Sequence, residues 1–190
     1  MRLTGIEKPK DSPINRSMLE RLGLDVNIVP RKAIYCKLTL PPRGVIKLNV
    51  DGSLIRTIGG FGDMLRDEAG NVIFCYAGQC TAQSILKVEI KAIYEGCRVA
   101  KGGGVYQLRV LRKEETCPWY YLNEAQLTWD ILEGMQMKEI QLVYRETNRG
   151  ADSLASMGDP GIKVFIPPLN SELMKIIEED RVGVIYTRWR

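Results

Sequence analysis

VIKLNVDG at residues 45–52 is the stretch of the sequence that decides the fold. Its apolar side chains alternate with polar ones, which is the pattern of a strand with one buried face. Turn residues separate it from two further predicted strands, at residues 60–66 and 71–79. Short turns between consecutive strands are typical of an antiparallel meander. We therefore expect the domain to begin with three antiparallel strands.

A helical pattern follows these strands. Apolar side chains recur at helical spacing from residue 84 to residue 101, and the glycines at 102–104 end the predicted helix. The later elements are predicted to be a strand at 106–111, a helix at 123–134, a strand at 138–144 and a helix at 148–157. A helix between the third and fourth strands favours parallel pairing of the fourth strand with the first. The predicted fold is an α/β fold with a mixed five-stranded sheet flanked by helices.

Composition and motifs divide the chain into three parts. Residues 1–42 are predicted to be a leader and connector, residues 43–158 the main domain, and residues 159–190 a C-terminal extension that packs on it. No stretch has the roughly 18 to 20 apolar residues that cross a bilayer, and the N-terminal residues lack the apolar core of a signal peptide. We expect no membrane contact, and a cytoplasmic or nuclear location.

The composition excludes some kinds of chemistry. The chain has no histidine, so no mechanism can use an imidazole base. Its five cysteines include no CxxC pair, which argues against a zinc site or a disulfide framework. The net charge of +4 is mild and leaves a nucleic-acid partner open.

Three acidic residues occupy positions where apolar side chains are expected. Asp51 ends the first strand, Glu89 lies within the apolar stripe of the first helix, and Asp152 lies on the small-residue face of a later helix. A carboxylate in such a place loses solvation energy unless a partner compensates it. Each acid alone fits a structural role, as a strand end, a half-exposed side chain or a helix cap. Together they could form a site for a hard cation such as Mg²⁺.

The sequence contains four motifs, LNVDGS, GFGDMLRDEAGNVI, VEIKAI and YRETNRGADSLAS. Together they resemble the ribonuclease H domain of the plant non-LTR retrotransposon type. The resemblance covers residues 41–158. It implies a ribonuclease H-like fold and, in the family, hydrolysis of the RNA strand of an RNA–DNA hybrid by two Mg²⁺ ions held by four acids. Asp51, Glu89 and Asp152 match three of those acids.

The departures from the family pattern fall on the same site. Lys113 stands in the slot of the third acid, Leu142 replaces a histidine, and Asp63 replaces a glycine. An ammonium close to a Mg²⁺ position repels the ion by several kcal/mol, so we expect Lys113 to pair with the remaining acids in place of metal. Glu114 could substitute for the missing acid only if a bulge turned it to the other face of its strand.

Other side chains offer weaker signals for binding. Lys47, Arg145 and Arg149 are predicted to lie near the substrate groove, where they would contact phosphates or remain solvated. Trp119 would contribute an aromatic surface for a base or a protein partner, or pack locally under a shortened helix.

The predicted function is that of a catalytically inactive ribonuclease H-like protein, reused as a binding or regulatory module. We expect a protein partner and no cofactor. One alternative is an active hybrid ribonuclease that uses Mg²⁺, with Asp51, Glu89, Glu114 and Asp152 as its acids. The other is a metal-free module that binds RNA or an RNA–DNA hybrid.

Overall fold

A computed structural model describes residues 12–24, 32–102, 107–111, 122–135, 137–141, 143–157, 160–167 and 169–189. The chain divides into two compact units. The smaller unit consists of residues 1–35 and 187–190. It holds helix α1 (Pro13–Arg21) and most of a two-stranded sheet formed by β1 (Ala33–Cys36) and β8 (Tyr186–Trp189). The larger unit, Cys36–Tyr186, contains all the candidate site residues.

The larger unit is built on a six-stranded sheet with the strand order β6-β5-β2-β3-β4-β7. Its elements, in chain order, are β2 (Ile46–Ile55), β3 (Ile58–Arg66), β4 (Val72–Thr81), α2 (Ile85–Gly102), β5 (Gln107–Leu111), α3 (Leu122–Glu133), β6 (Met137–Gln141), α4 (Arg149–Ser156), β7 (Ile162–Phe165) and α5 (Ser171–Arg181). Strands β2, β3 and β4 pair antiparallel, and β5 pairs parallel with both β2 and β6. The predicted mixed sheet, with three antiparallel strands followed by a parallel part, is confirmed.

The first strand is longer than the sequence pattern predicts. Strand β2 continues through Gly52 to Ile55, which pairs with Ile58 across a two-residue turn. Gly52 therefore does not end the strand, and its lack of a side chain has another role. A Cβ atom there would lie 3.1 Å from the backbone nitrogen of Glu89, so the missing side chain lets α2 pack closely on the strand.

The sheet also has one more strand than predicted. Strand β7 pairs antiparallel with β4, with Val164 opposite Tyr76. Four residues of mixed polarity are too short a signal for a prediction from the pattern alone. The C-terminal residues thus contribute an edge strand to the same sheet.

Apolar side chains cover both faces of the sheet. On one face, Leu48 and Val50 of β2 pack in a cluster with residues of α2 and α3. On the other face, Met64 of β3 packs with Leu154 of α4 and Leu173 of α5. Among the described helices, none is long and apolar enough to span a membrane. This layered arrangement places α4 against β2, and the candidate acids Asp152 and Asp51 lie within these two elements.

Candidate functional site

Glycines of β3 bring helix α4 close to the sheet. A Cβ atom on Gly60 would lie 2.1 Å from the carbonyl oxygen of Ala155, and a Cβ atom on Gly62 would lie 2.3 Å from the backbone nitrogen of Ala155. No larger residue fits at these positions without moving the helix. Ser53 reinforces the contact because its hydroxyl donates to the Ala155 carbonyl at 2.8 Å. Since Asp51 pairs with Gly62, this close packing brings Asp152 of α4 to Asp51.

Two buried asparagines join the start of α4 to β2. The side-chain amide of Asn148 donates to the carbonyl of Val50 at 2.8 Å, and the amide of Asn49 donates to Oδ1 of Asn148 at 2.9 Å. Both asparagines are buried, so these bonds are shielded from water. Sequence reasoning missed this bridge. The signal was present, because Asn49 shares a strand face with Asp51 and Asn148 shares a helix face with Asp152.

The structure places Asp152 in hydrogen-bonding contact with Asp51, and Glu89 close enough for its charge to act on Asp51. Burial is the largest cause that raises the pKa of Asp51, to about 7. The negative charge of Asp152 and a hydrogen bond to its side chain raise this pKa further, and the charge of Glu89 adds to the effect. Asp51 therefore releases its proton less readily than an ordinary aspartate. We call Asp51, Glu89 and Asp152 the acid cluster.

Arg145 supplies a cation to this cluster. Its Nε and Nη2 atoms donate to Oδ1 of Asp152 at 2.9 and 2.6 Å. This hydrogen bonding raises the pKa of Arg145, and the positive charge lowers the pKa of Asp51 against the effect of burial. The side chain of Arg145 is 73% exposed, while that of Asp152 is 27% exposed. Arg145 was predicted to lie near the groove; the structure places its guanidinium on an acid of the cluster, and its contact with phosphate stays a prediction.

The acids of the described residues do not provide the ligands of a two-metal site by themselves. Carboxylate oxygens are the right ligands for Mg²⁺, but such a site needs several of them free to point at one ion. Within the part of the chain that the structure describes, no group of three acidic or thiol side chains is placed to hold a metal. The carboxylate of Asp152 is bound to a guanidinium instead.

Two predicted groove residues have structural partners. Lys47 is only 1% exposed, and its ammonium donates to the carbonyl of Thr39, so the prediction that it contacts phosphate is wrong. Arg149 donates to Glu179 and to the hydroxyl of Tyr186, and its guanidinium lies over the ring of Tyr186. Arg149 is thereby tied to the C-terminal segment. The predictions for Lys113, Glu114, Trp119 and Leu142 concern residues outside the described ranges.

A further carboxylate lies inside the core. Asp63 of β3 is fully buried and accepts a hydrogen bond from the hydroxyl of Tyr76. Its second oxygen, Oδ1, has no hydrogen-bond partner among the described residues. Burial raises the pKa of Asp63 well above its ordinary value, while the Tyr76 hydroxyl opposes the shift. Asp63 faces helix α2 at Gly96. A Cβ atom on Gly96 would lie 2.4 Å from Oδ2 of Asp63.

Comparisons with known proteins agree on the fold. A family model described as reverse transcriptase-like matches residues 49–116. The structure of ribonuclease H1 from the halophilic archaeon Halobacterium salinarum aligns over 60% of this chain and 97% of its own, with a TM-score of 0.56 and 17% identity. The chain contains a ribonuclease H-like domain. The family match includes Asp51 and Glu89, the first two acids of the cluster.

Two further structures show the same ribonuclease H-like fold. The N-terminal ribonuclease H domain of a Mycobacterium tuberculosis protein aligns over 60% of this chain and 91% of its own, at 16% identity and a TM-score of 0.55. LC11-RNase H1, solved in complex with an RNA/DNA hybrid, aligns over 57% of this chain and 92% of its own, at 17% identity and a TM-score of 0.52. The search of curated proteins found no match. At these identities the likeness shows the fold alone, and the plant retrotransposon type stays a prediction.

Proposed function

We propose that this ribonuclease H-like protein is catalytically inactive and acts by binding another protein. The observation that carries the proposal is the ion pair between Arg145 and Asp152. In this arrangement the chain itself neutralises one acid of the acid cluster. The fold is kept, and the chemistry that the fold supports in a nuclease is not.

The electrostatics of the acid cluster support the same conclusion. Metal-assisted hydrolysis needs ionised carboxylates that hold the ions and place a water molecule against the phosphate. Burial and the neighbouring acids raise the pKa of Asp51 to about 7, so this carboxyl holds its proton more tightly than an ordinary aspartate. A divalent ion would have to displace both this proton and the guanidinium of Arg145. Each displacement lowers the apparent affinity for the metal.

Exposed apolar side chains support a protein partner. Ile162 and Val164 of the edge strand β7, and Ile166 just after it, are exposed. An edge strand offers unpaired backbone groups, and apolar side chains beside it suit another protein chain better than a phosphate backbone. The basic residues Lys47 and Arg149, in contrast, are bound within the domain.

The first test is a cleavage assay with the full chain. A labelled RNA–DNA hybrid is incubated with the wild type, with Asp51→Asn and with an active ribonuclease H, in Mg²⁺ and separately in Mn²⁺. We expect cleavage by the active enzyme only. Cleavage by the wild type that disappears in Asp51→Asn would overturn the proposal, because it would show a working acid cluster.

The second test concerns the partner. A protein that is retained by the wild type and by Asp51→Asn, and is lost with Val164→Asp, would support the proposed contact. Binding of hybrid with an affinity that falls steeply with salt, and without cleavage, would instead favour the nucleic-acid module. Since Val164 is exposed, its replacement should leave the fold intact, and a thermal melt of the variant checks this.

A further inference from the structure

We propose that Arg145 is the resident counter-cation of the acid cluster and that it keeps divalent cations away from Asp51 and Asp152. This inference rests on the proposed function, since it explains how the acids persist without metal. It goes beyond that function by assigning the exclusion of metal to one side chain.

The backbone of Arg145 is held in place by its own neighbours. Arg145 begins a short 3₁₀ turn, Arg145–Thr147, directly before α4. The backbone nitrogen and the hydroxyl of Thr147 both donate to the carbonyl of Tyr144 at 2.9 Å, and the backbone nitrogen of Asn148 donates to the carbonyl of Arg145 at 2.9 Å. Thr147 and Asn148 are themselves buried. The turn is therefore fixed against the domain, and the exposed guanidinium extends from a rigid base.

The side chain of Arg145 uses two donors on one acceptor atom. Nε and Nη2 both donate to Oδ1 of Asp152, seven residues further along the chain. Because the turn and the helix that carry the two partners adjoin, the chain holds the guanidinium at a high effective concentration beside the carboxylate. A free divalent ion must compete with a cation that the chain keeps beside the acid.

The charge of Arg145 reaches more than one member of the cluster. It binds Asp152 directly, and it also lowers the pKa of Asp51, which the charges of Asp152 and Glu89 raise. Removing the guanidinium therefore frees one carboxylate and removes a positive charge that would repel a second cation. Both changes favour entry of a divalent ion.

The test measures Mn²⁺ binding to the full chain by calorimetry and by electron paramagnetic resonance. We compare the wild type with Arg145→Ala, Arg145→Lys and Arg181→Ala. Arg181 is the matched control, because its Nε and Nη2 donate at 2.8 Å to Glu178, an exposed carboxylate outside the acid cluster. Removal of one charge near the site should raise the Mn²⁺ affinity of Arg145→Ala by about tenfold. Arg145→Lys should gain less, since it keeps the charge, and Arg181→Ala should match the wild type.

A double variant locates the bound ion. The gain in Mn²⁺ affinity of Arg145→Ala should disappear in Arg145→Ala combined with Asp51→Asn. Equal Mn²⁺ affinities for Arg145→Ala and Arg181→Ala would overturn the inference, and so would a gain that survives the loss of Asp51. These results concern metal binding by the variants and say nothing about cleavage. The cleavage assay on the wild type therefore tests the proposed function separately.

Discussion

Two arginine–aspartate pairs of similar length lie in this domain in opposite environments. Arg66 and Asp180 are 2.7 Å apart, with side chains that are 2% and 1% exposed. Arg145 and Asp152 are 2.6 Å apart, with side chains that are 73% and 27% exposed. The contacts are chemically alike, but water screens only the second pair. The comparison indicates that the first pair holds the structure together, while the second is free to serve the site.

The buried pair has support on both sides. The hydroxyl of Tyr186 donates to the second oxygen of Asp180 at 3.2 Å, and Nη1 of Arg66 donates to the carbonyl of Gly70 at 3.4 Å. Burial lowers the pKa of Arg66 and raises that of Asp180, and each partner's charge opposes the shift in the other. Removal of either charge would therefore leave its partner buried and uncompensated.

The largest effect is expected when the buried pair is broken. Asp180→Asn should lower the free energy of unfolding by about 3 to 5 kcal/mol, because Arg66 stays charged in the core. Unfolding in guanidinium chloride, followed by circular dichroism, measures the loss. Glu178→Gln on the same helix is the control and should leave the free energy of unfolding almost unchanged, since the pair of Glu178 with Arg181 is exposed. Equal losses would show that burial does not distinguish the pairs.

A buried acid without an arginine sharpens the comparison. The folded-state pKa of Asp63 is raised, so its contribution to stability is fully present below its unfolded pKa, near pH 4, and is lost as pH rises through the folded value. Asp63→Asn removes this loss and should stabilise the protein at pH 8 by more than about 1 kcal/mol, with little gain at pH 4. Denaturation curves at pH 4, 6 and 8 measure both. The same gain at every pH would rule out titration of Asp63 as the cause.

The smallest change in stability is expected at the exposed pair. Arg145→Ala should alter the free energy of unfolding by at most about 1 kcal/mol. The same substitution should raise the pKa of Asp51 above its value of about 7, because the charge of Arg145 lowers that pKa in the wild type. Carbon-13 NMR titration of the Asp51 carboxyl measures the shift. A stability loss as large as that of Asp180→Asn would mean that Arg145 is a structural residue.

The sequence predicts the parts of this molecule that depend on local pattern. Alternation along β2, the helical period of α2 and the turns between strands are local, so the mixed sheet follows from them. Glu89 and Asp152 were noticed because each lies on a helix face where apolar or small side chains are expected, and the resemblance linked them with Asp51 in one predicted site. The structure places Asp51 beside Asp152 and within the influence of the Glu89 charge, and their role as metal ligands stays a prediction.

Long-range contacts explain what the sequence pattern did not predict. Lys47 lies on the polar face of β2, which suggested a groove position, but its charge acts on Asp180, which arrives with the C-terminal helix α5. The pairing of Arg66 with Asp180 joins residues 114 positions apart. The sequence pattern also does not predict the partner of Arg145, because the local sequence is the same whether this side chain is solvated or bound to Asp152. Such pairings depend on which elements pack together.

The most direct test of the account is a crystal of the wild-type protein soaked in Mn²⁺, with an anomalous difference map. We predict that the guanidinium of Arg145 remains on Asp152 and that no manganese peak lies at the acid cluster. A manganese ion bound by Asp51 and Asp152, with Arg145 displaced, would contradict both the proposed loss of catalysis and the assigned role of Arg145.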